Sequence, residues 1–405
     1  MTRLSFKKLG PGLLFAGAAI GVSHLVQSTR AGADFGMGLV WALFLIHLIK
    51  YPFFQYGPRY AAVAKESLLE GYLRIGKGAL ITYFVLNLLT MFTIQTAVTI
   101  VTAGIAGYLF GFEIDIATWS LIITGVSAGI LIIGQYNLLD KLMKFIIITL
   151  TISTIIALCV AFFRESETIE LAQIIPSDAT GIAFLIAFMG WMPAPIDISI
   201  WHSLWALEKN KKEAINDDDA ILDFNVGYAG TIIIGLCFIG LGAIVMFGSG
   251  TTFSPSGTVF AQQLIEMYTG NLGEWAFIII GLAALTTMFS TTLTTLDASP
   301  RAMNKAWSLL TGKNYKFGYL FWIILLMLGT CMILFFLINE MGKLVEIATI
   351  LSFLTAPFYA LMNFMVMNGK NVPQESRPSL AMKILSVAGI ALLVGFSLWY
   401  LISIL

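Results

Sequence analysis

Polar residues in this chain gather in short clusters between apolar runs, and the runs have the length of membrane crossings. At about 20 apolar residues per crossing, the pattern predicts helices over 11–33, 37–57, 79–108, 116–134 and 141–163. A second set follows over 180–207, 226–249, 273–298, 317–338, 343–367 and 380–403. The fold class is therefore an all-α integral membrane protein of about eleven spanning helices, without a soluble domain. The longest polar connection, ALEKNKKEAINDDDAILDFN from Ala206 to Asn225, is short and mixes both signs of charge, as a solvated cytoplasmic link does.

Two of the runs interrupt themselves. Span one reads GPGLLFAGAAI, then GVSH, then LVQSTRAGADFG; Gly21 and the Ser23–His24 pair weaken the helix, and Ser23 is a good N-cap for a fresh segment near Leu25. Span six reads GIAFLIAFMG, then WMPAP, then IDISIWHSLW, where Pro193 and Pro195 each lack a backbone donor. Glycine and proline also kink membrane helices for packing alone, but here the breaks open the first helix of each five-span half. Matched interruptions of that kind point to a transporter's binding site, because irregular backbone at membrane depth survives only around an enclosed or watery cavity.

Charge placement orients the chain. With the N-terminus cytoplasmic, all but four of the 23 basic residues fall on inner segments, Arg3, Lys7, Lys8, Arg59, Arg74, Lys212 and Lys305 among them; the exceptions are Arg30, Lys50, Arg164 and Lys343. Outer segments carry Glu113 and Asp115, or Glu165, Glu167, Glu170 and Asp178, so the positive-inside rule holds and the C-terminus falls outside. A multi-pass protein of a bacterial-type inner (plasma) membrane is expected, with the bilayer as its first partner.

Composition narrows the classes further. Of 405 residues 58% are hydrophobic and 11% charged, and 23 basic against 23 acidic side chains leave no electrostatic case for nucleic acid. Cys159, Cys237 and Cys331 lie inside apolar segments and read as small buried hydrophobes. No cleavable signal peptide is evident. The one enzyme-like pattern, GVSAG at Gly125–Gly129, lacks a strand-to-helix setting and reads as small residues for helix packing. An enzyme is not expected, and nothing calls for a cofactor.

The stretch GPGLLFAGAAIGVSHLVQSTRAGADFG, Gly10 to Gly36, resembles the first helix of the NRAMP family of proton-coupled divalent-metal transporters. Span six, with Met192–Pro193, is similar to that family's metal-binding sixth helix. The resemblance implies a leucine-transporter-type fold of two inverted five-helix repeats plus one helix, a central site between helices one and six, and alternating access. On that scheme 1–163 is the first repeat, 164–225 the broken sixth helix and linker opening the second, 226–367 its helices seven to ten, and 368–405 helix eleven. The departures are chemical. Where the family carries Asp-Pro-Gly-Asn, this chain has Gly21, Val22, Ser23 and His24; Met192 matches the thioether ligand, but Ala194 replaces the His after it and Pro195 the following Asn.

A dehydrated divalent ion needs negative charge around it, which His24, Met192 and carbonyl oxygens do not supply. Asp197, five residues after Met192, is the one replacement carboxylate, unless it only caps the second half-helix. The opposite chemistry is also available: free amides near Ser23, His24 and Leu25 bind small anions, with His24 donating a hydrogen bond or, when protonated, charge. Trp191 and Trp201 are candidates to wall the cavity. Substrate-binding candidates are therefore Gly21, Val22, Ser23, His24, Trp191, Met192, Ala194 and Asp197. His24, His47, Lys50, Gln95, His202 and Asn363 are coupling or gating candidates, with Lys50 alternatively snorkelling to the interface. Arg30 with Asp34, and Asp297 with Arg301, read as i,i+4 surface clasps.

The function expected is a secondary transporter, a symporter with H⁺ or Na⁺ as coupling ion, that moves a small inorganic anion such as bicarbonate, the usual metal site being lost. The alternatives are a divalent-cation transporter of Mg²⁺ or Mn²⁺ type using Met192 and Asp197, and a channel or membrane receptor.

Overall fold

The computed structural model describes residues 10–164, 170–211, 216–248, 254, 257–337 and 341–404. Arg3, Lys7, Lys8, Lys212, Glu165 and Glu167 lie outside the described residues. The described chain is helical throughout: α1 (Pro11–Ala19), a π-helical stretch (Ser23–Ser28), α2 (Thr29–Phe35), α3 (Val40–Ala64), α4 (Leu68–Ile75), α5 (Lys77–Phe110), α6 (Ile116–Arg164), α7 (Ala179–Trp191) and α8 (Ile198–Asn210). Then come α9 (Asp217–Val245), α10 (Gly257–Leu272), α11 (Ala276–Thr311), α12 (Gly318–Leu337), α13 (Met341–Met367) and α14 (Leu380–Ile404).

By length and apolarity alone, 8 helical segments among the described residues can cross a membrane, or 9 with the bent pair at the start counted as one span. Two predicted spans fall outside that count for visible reasons. The run of α3 is diluted by His47, Lys50, Gln55 and Arg59, and 180–207 is split into α7 and α8, of 13 residues each. α6 carries two predicted spans, as apolar segments Ile116–Ile133 and Lys141–Phe163. Ile133, Phe163 and Phe335 stand largely exposed, the outward-facing apolar surface of a chain whose solvent is lipid.

The start of α1 shows how the bundle closes on itself. Pro11 sits at the first helical position, where a missing donor costs nothing, but Gly10 offers no side-chain cap. Asp223 of α9 supplies it: the amides of Gly10 and Gly12 donate to its carboxylate oxygens at 3.0 and 2.7 Å. The backbones touch here, since a Cβ on Gly12 would meet the Asp223 carbonyl and one on Gly227 the Gly12 carbonyl. α2 and α9 repeat the device through Gly32 and Gly242.

Candidate functional site

The first break is a bend of 50° between Pro11–Ala19 and Ser23–Phe35. The amide of Ile20 closes α1 on Ala16 at 2.7 Å, and the amides of His24 and Leu25 fold onto the Gly21 carbonyl at 3.1 and 2.8 Å. These two amides, expected to be free for an anion, are used by the turn itself. The Ile20 carbonyl accepts from the Thr291 hydroxyl at 3.2 Å, and a Cβ on Gly21 would run into that same threonine. Glycine is what lets α11 approach the break.

The second break begins where the Met192 amide closes α7 on Phe188 at 3.0 Å. The chain then runs irregularly to Asp197, and α8 opens with tight bonds from Ile198 to Pro195 (3.2 Å), Ser199 to Ile196 (3.0 Å) and Ile200 to Asp197 (2.9 Å). Asp197 holds the cap position without a side-chain cap bond, and its buried Oδ1 has no hydrogen-bond partner.

Lys50 reaches into this break from α3. Its Nζ donates to the carbonyl oxygens of Met189 (2.9 Å), Gly190 (2.6 Å), Met192 (2.9 Å) and Ala194 (3.3 Å). The side chain is fully buried, which corrects the alternative of snorkelling. A helix end leaves its last carbonyls unpaired, and a cation there satisfies both their lone pairs and the helix dipole. This chain builds that cation into a neighbouring helix.

Between the two breaks lies a cavity of about 30 Å³, lined by Gly21, Val22, Ser23, Trp191, Trp201 and Thr291 among others. It has room for a water-sized species, and its lining holds neither carboxylate nor imidazole. Trp191 is fixed by donating Nε1–H to Ser352 at 3.0 Å, whereas Trp201 Nε1 is buried without a partner. Four of the substrate-binding candidates, Gly21, Val22, Ser23 and Trp191, thus meet at the cavity, together with the wall candidate Trp201. His24, Met192, Ala194 and Asp197 are not among its lining residues. His24 is buried with Nε2 3.1 Å from the Thr231 carbonyl and Nδ1 2.8 Å from Ser23 Oγ. The Met192 sulfur accepts from Ser28 Oγ at 3.7 Å.

The remaining candidates scatter around this centre. His47 is buried beside the same Thr231, whose Oγ1 lies 3.4 Å from its Nε2. Gln95 accepts from Thr295 Oγ1 at 2.7 Å and joins α5 to α11. His202 is buried with neither ring nitrogen bonded and stacks on Phe15 at 5.5 Å. Asn363 donates to Ser199 Oγ (2.7 Å) and the Phe53 carbonyl (3.0 Å) and accepts from Tyr72 (2.7 Å). Asp297 and Arg301 are not the surface clasp expected: the carboxylate is fully buried and also takes hydrogen bonds from Trp205 and Tyr319. Thr231, Thr291 and Asp223 carry no signal in the sequence, since nothing local marks a threonine or aspartate that serves a segment 207, 271 or 211 residues away. Among the described residues, no group of three or more His, Cys, Asp or Glu side chains forms a metal site.

A family model, natural resistance-associated macrophage protein-like (Nramp), matches residues 12–403. The chain belongs to the Nramp family. It is accordingly a multi-pass membrane transporter, as the resemblance of span one implied, and family members are transporters rather than enzymes. An uncharacterized protein of Pasteurella multocida (strain Pm70) is 37% identical over 403 residues, covering 98% of this chain and 92% of that protein. Among solved structures, a mutant of the Eremococcus coleocola manganese transporter superposes with a TM-score of 0.77 at 13% identity, covering 96% of this chain and 85% of that one. MhsT in complex with L-phenylalanine gives 0.61 at 13% identity, covering 96% and 98%. MHP1, a nucleobase-cation-symport-1 family transporter, gives 0.54 at 14% identity, covering 97% and 92%. These likenesses place the Nramp chain in the leucine-transporter-type fold.

Proposed function

We propose that this Nramp-family protein is a secondary transporter that moves a small inorganic anion, bicarbonate first, by alternating access about the two breaks. The observation that carries the reading is the Lys50 ammonium on the four carbonyls of the span-six break. Those oxygens are the ones a broken helix offers a cation, and they are taken. The remaining carboxylate nearby, Asp197, offsets Lys50 in charge, so the centre has no surplus negative charge for a dehydrated divalent ion. Gly21, Val22, Ser23 and Trp191 form the cavity wall, the unpartnered Trp201 Nε1–H is the free donor while the Ser23 hydroxyl is held by the Ala19 carbonyl at 2.8 Å, and a symported H⁺ balances the anion's charge. The chain lies with its basic loops and N-terminus in the cytoplasm of an inner-membrane setting.

A second reading has its own observation. The unpartnered Oδ1 of Asp197 is an available oxygen ligand, and the manganese carried by the Eremococcus coleocola protein favours a divalent cation held by Asp197 and Met192. That reading recruits the Met192 sulfur, which here accepts from Ser28 Oγ.

Proteoliposome uptake separates the two. The anion reading expects saturable uptake of labelled bicarbonate, no saturable response to Mn²⁺ or Mg²⁺, loss of uptake in Ser23→Ala, and near-normal uptake in Asp197→Asn. Tight Mn²⁺ binding abolished by Asp197→Asn would overturn it.

A further inference from the structure

We infer that the carbonyls of Met189, Gly190, Met192 and Ala194 form a monovalent-cation site that Lys50 fills permanently, so that no free Na⁺ or K⁺ binds at the span-six break. The inference draws on the same geometry as the anion reading but not on the cargo's identity.

Three features carry it. The first is coordination. Four carbonyl oxygens lie 2.6–3.3 Å from one nitrogen that has three protons to give, a shell with more acceptors than an ammonium's hydrogen bonds require and one suited to a small cation. The second is the origin of the oxygens. All four belong to the end of α7 and the irregular segment after it, where the backbone has released its carbonyls from helical partners. The third is the absence of a direct counter-ion: among the described residues no carboxylate is hydrogen-bonded to Lys50, and Asp197, its electrostatic neighbour, keeps an unpartnered Oδ1. A lysine placed for a salt bridge would meet the carboxylate. This one is placed on carbonyl dipoles, as a bound metal ion is. Its four-carbon stem comes from α3, so the tether also fastens α3 to the break.

The consequence is a specific chemical rescue. Shortening the side chain in Lys50→Ala removes the ammonium and leaves the oxygen shell open, which a soluble cation of similar size then occupies. Lys50→Met fills the stem's volume with an apolar chain and denies that space. Purified full-length protein is assayed for apparent melting temperature in choline chloride and, at equal ionic strength, in sodium, potassium, ammonium or methylammonium chloride. Wild type is expected to be indifferent to the exchange. Lys50→Ala is expected to lose stability in choline and to recover by about 3 °C or more, saturably, in at least one of the other salts; Lys50→Met is expected to show no such recovery. Binding of radioactive Na⁺ follows the same pattern, absent in wild type and present in Lys50→Ala.

Saturable Na⁺ stabilisation or Na⁺ binding in wild type overturns the inference. So does a Lys50→Ala protein that none of these cations stabilises, whether it purifies or fails to fold in all of them. Neither arm contains bicarbonate or a divalent metal, so a failure here is distinct from a failure of the proposed cargo.

Discussion

Asp297 has no exposure, and its carboxylate is shared by Arg301 at 2.6 Å, the Tyr319 hydroxyl at 2.7 Å and Trp205 Nε1 at 3.0 Å. Removing the acid strands three donors at once, one of them charged, so Asp297→Ala is expected to destabilise by about 3–5 kcal/mol in a detergent unfolding titration. Asp297→Leu combined with Arg301→Met is expected to recover much of that loss, because the second change removes the uncompensated guanidinium. The i,i+4 spacing made Arg301 legible as the partner. Burial was not legible, because Trp205 and Tyr319 arrive from 92 and 22 residues away. Lys50 and His24 repeat the lesson: the sequence named both as polar groups at membrane depth, yet only coordinates show that the lysine meets the break and the imidazole meets Thr231.

At the scale of helices, α9 is the element on which the broken first span rests, and its glycines separate contact from propensity. A Cβ on Gly242 would meet the Thr29 carbonyl and the Ala33 amide, whereas one on Gly230 of the same helix meets nothing within 4 Å. Gly242→Val is therefore expected to lower folded yield sharply, while Gly230→Ala gains about 0.5–1 kcal/mol from helix propensity; paired thermal melts in detergent check the opposite signs. The long helices were legible because their runs match membrane thickness, and the two breaks because glycine and proline mark them. Two elements were missed. α4 is short and amphipathic, announced only by the Ser67–Glu70 capping box, and α10 occupies a connection too polar to read as a span. Which side chains face the cavity was illegible because the π-helical turn after Gly21 and the irregular segment after Met192 follow no fixed period.

At the scale of the whole molecule, a water-sized space lies between the two breaks, with ties toward both ends of the bundle. At one end the 170–178 segment straps the turn between α2 and α3, through Trp41 Nε1 to the Ile174 carbonyl at 2.9 Å and the Ile174 amide to Gly38 at 2.9 Å. At the basic end, Lys305 of α11 meets Glu70 of α4 at 2.8 Å, Arg59 of α3 meets Asp217 of α9 at 3.0 Å, and Arg74 pairs with Glu66. Partly exposed pairs of this kind are each worth about 0–1 kcal/mol. Breaking one shifts a closed-to-open ratio by at most about five-fold, enough to tune a transporter without unfolding it. Lys305→Ala is expected to raise, up to that factor, the rate at which an impermeant thiol reagent applied from the basic end labels Ala18→Cys at the cavity wall, in a background lacking Cys159, Cys237 and Cys331. Acid acts on the same end in a defined direction. Hydrogen bonding from Arg74 holds the Glu66 carboxyl below its ordinary value of 4.5, so the tie is intact above that value and is lost as pH falls through the lower value of the folded state. Labelling of Ala18→Cys, corrected for the reagent's own pH dependence, should therefore rise on acidification below about 4.5. In Glu66→Gln the acid limb disappears, and an unchanged limb there places the acid response outside this clasp.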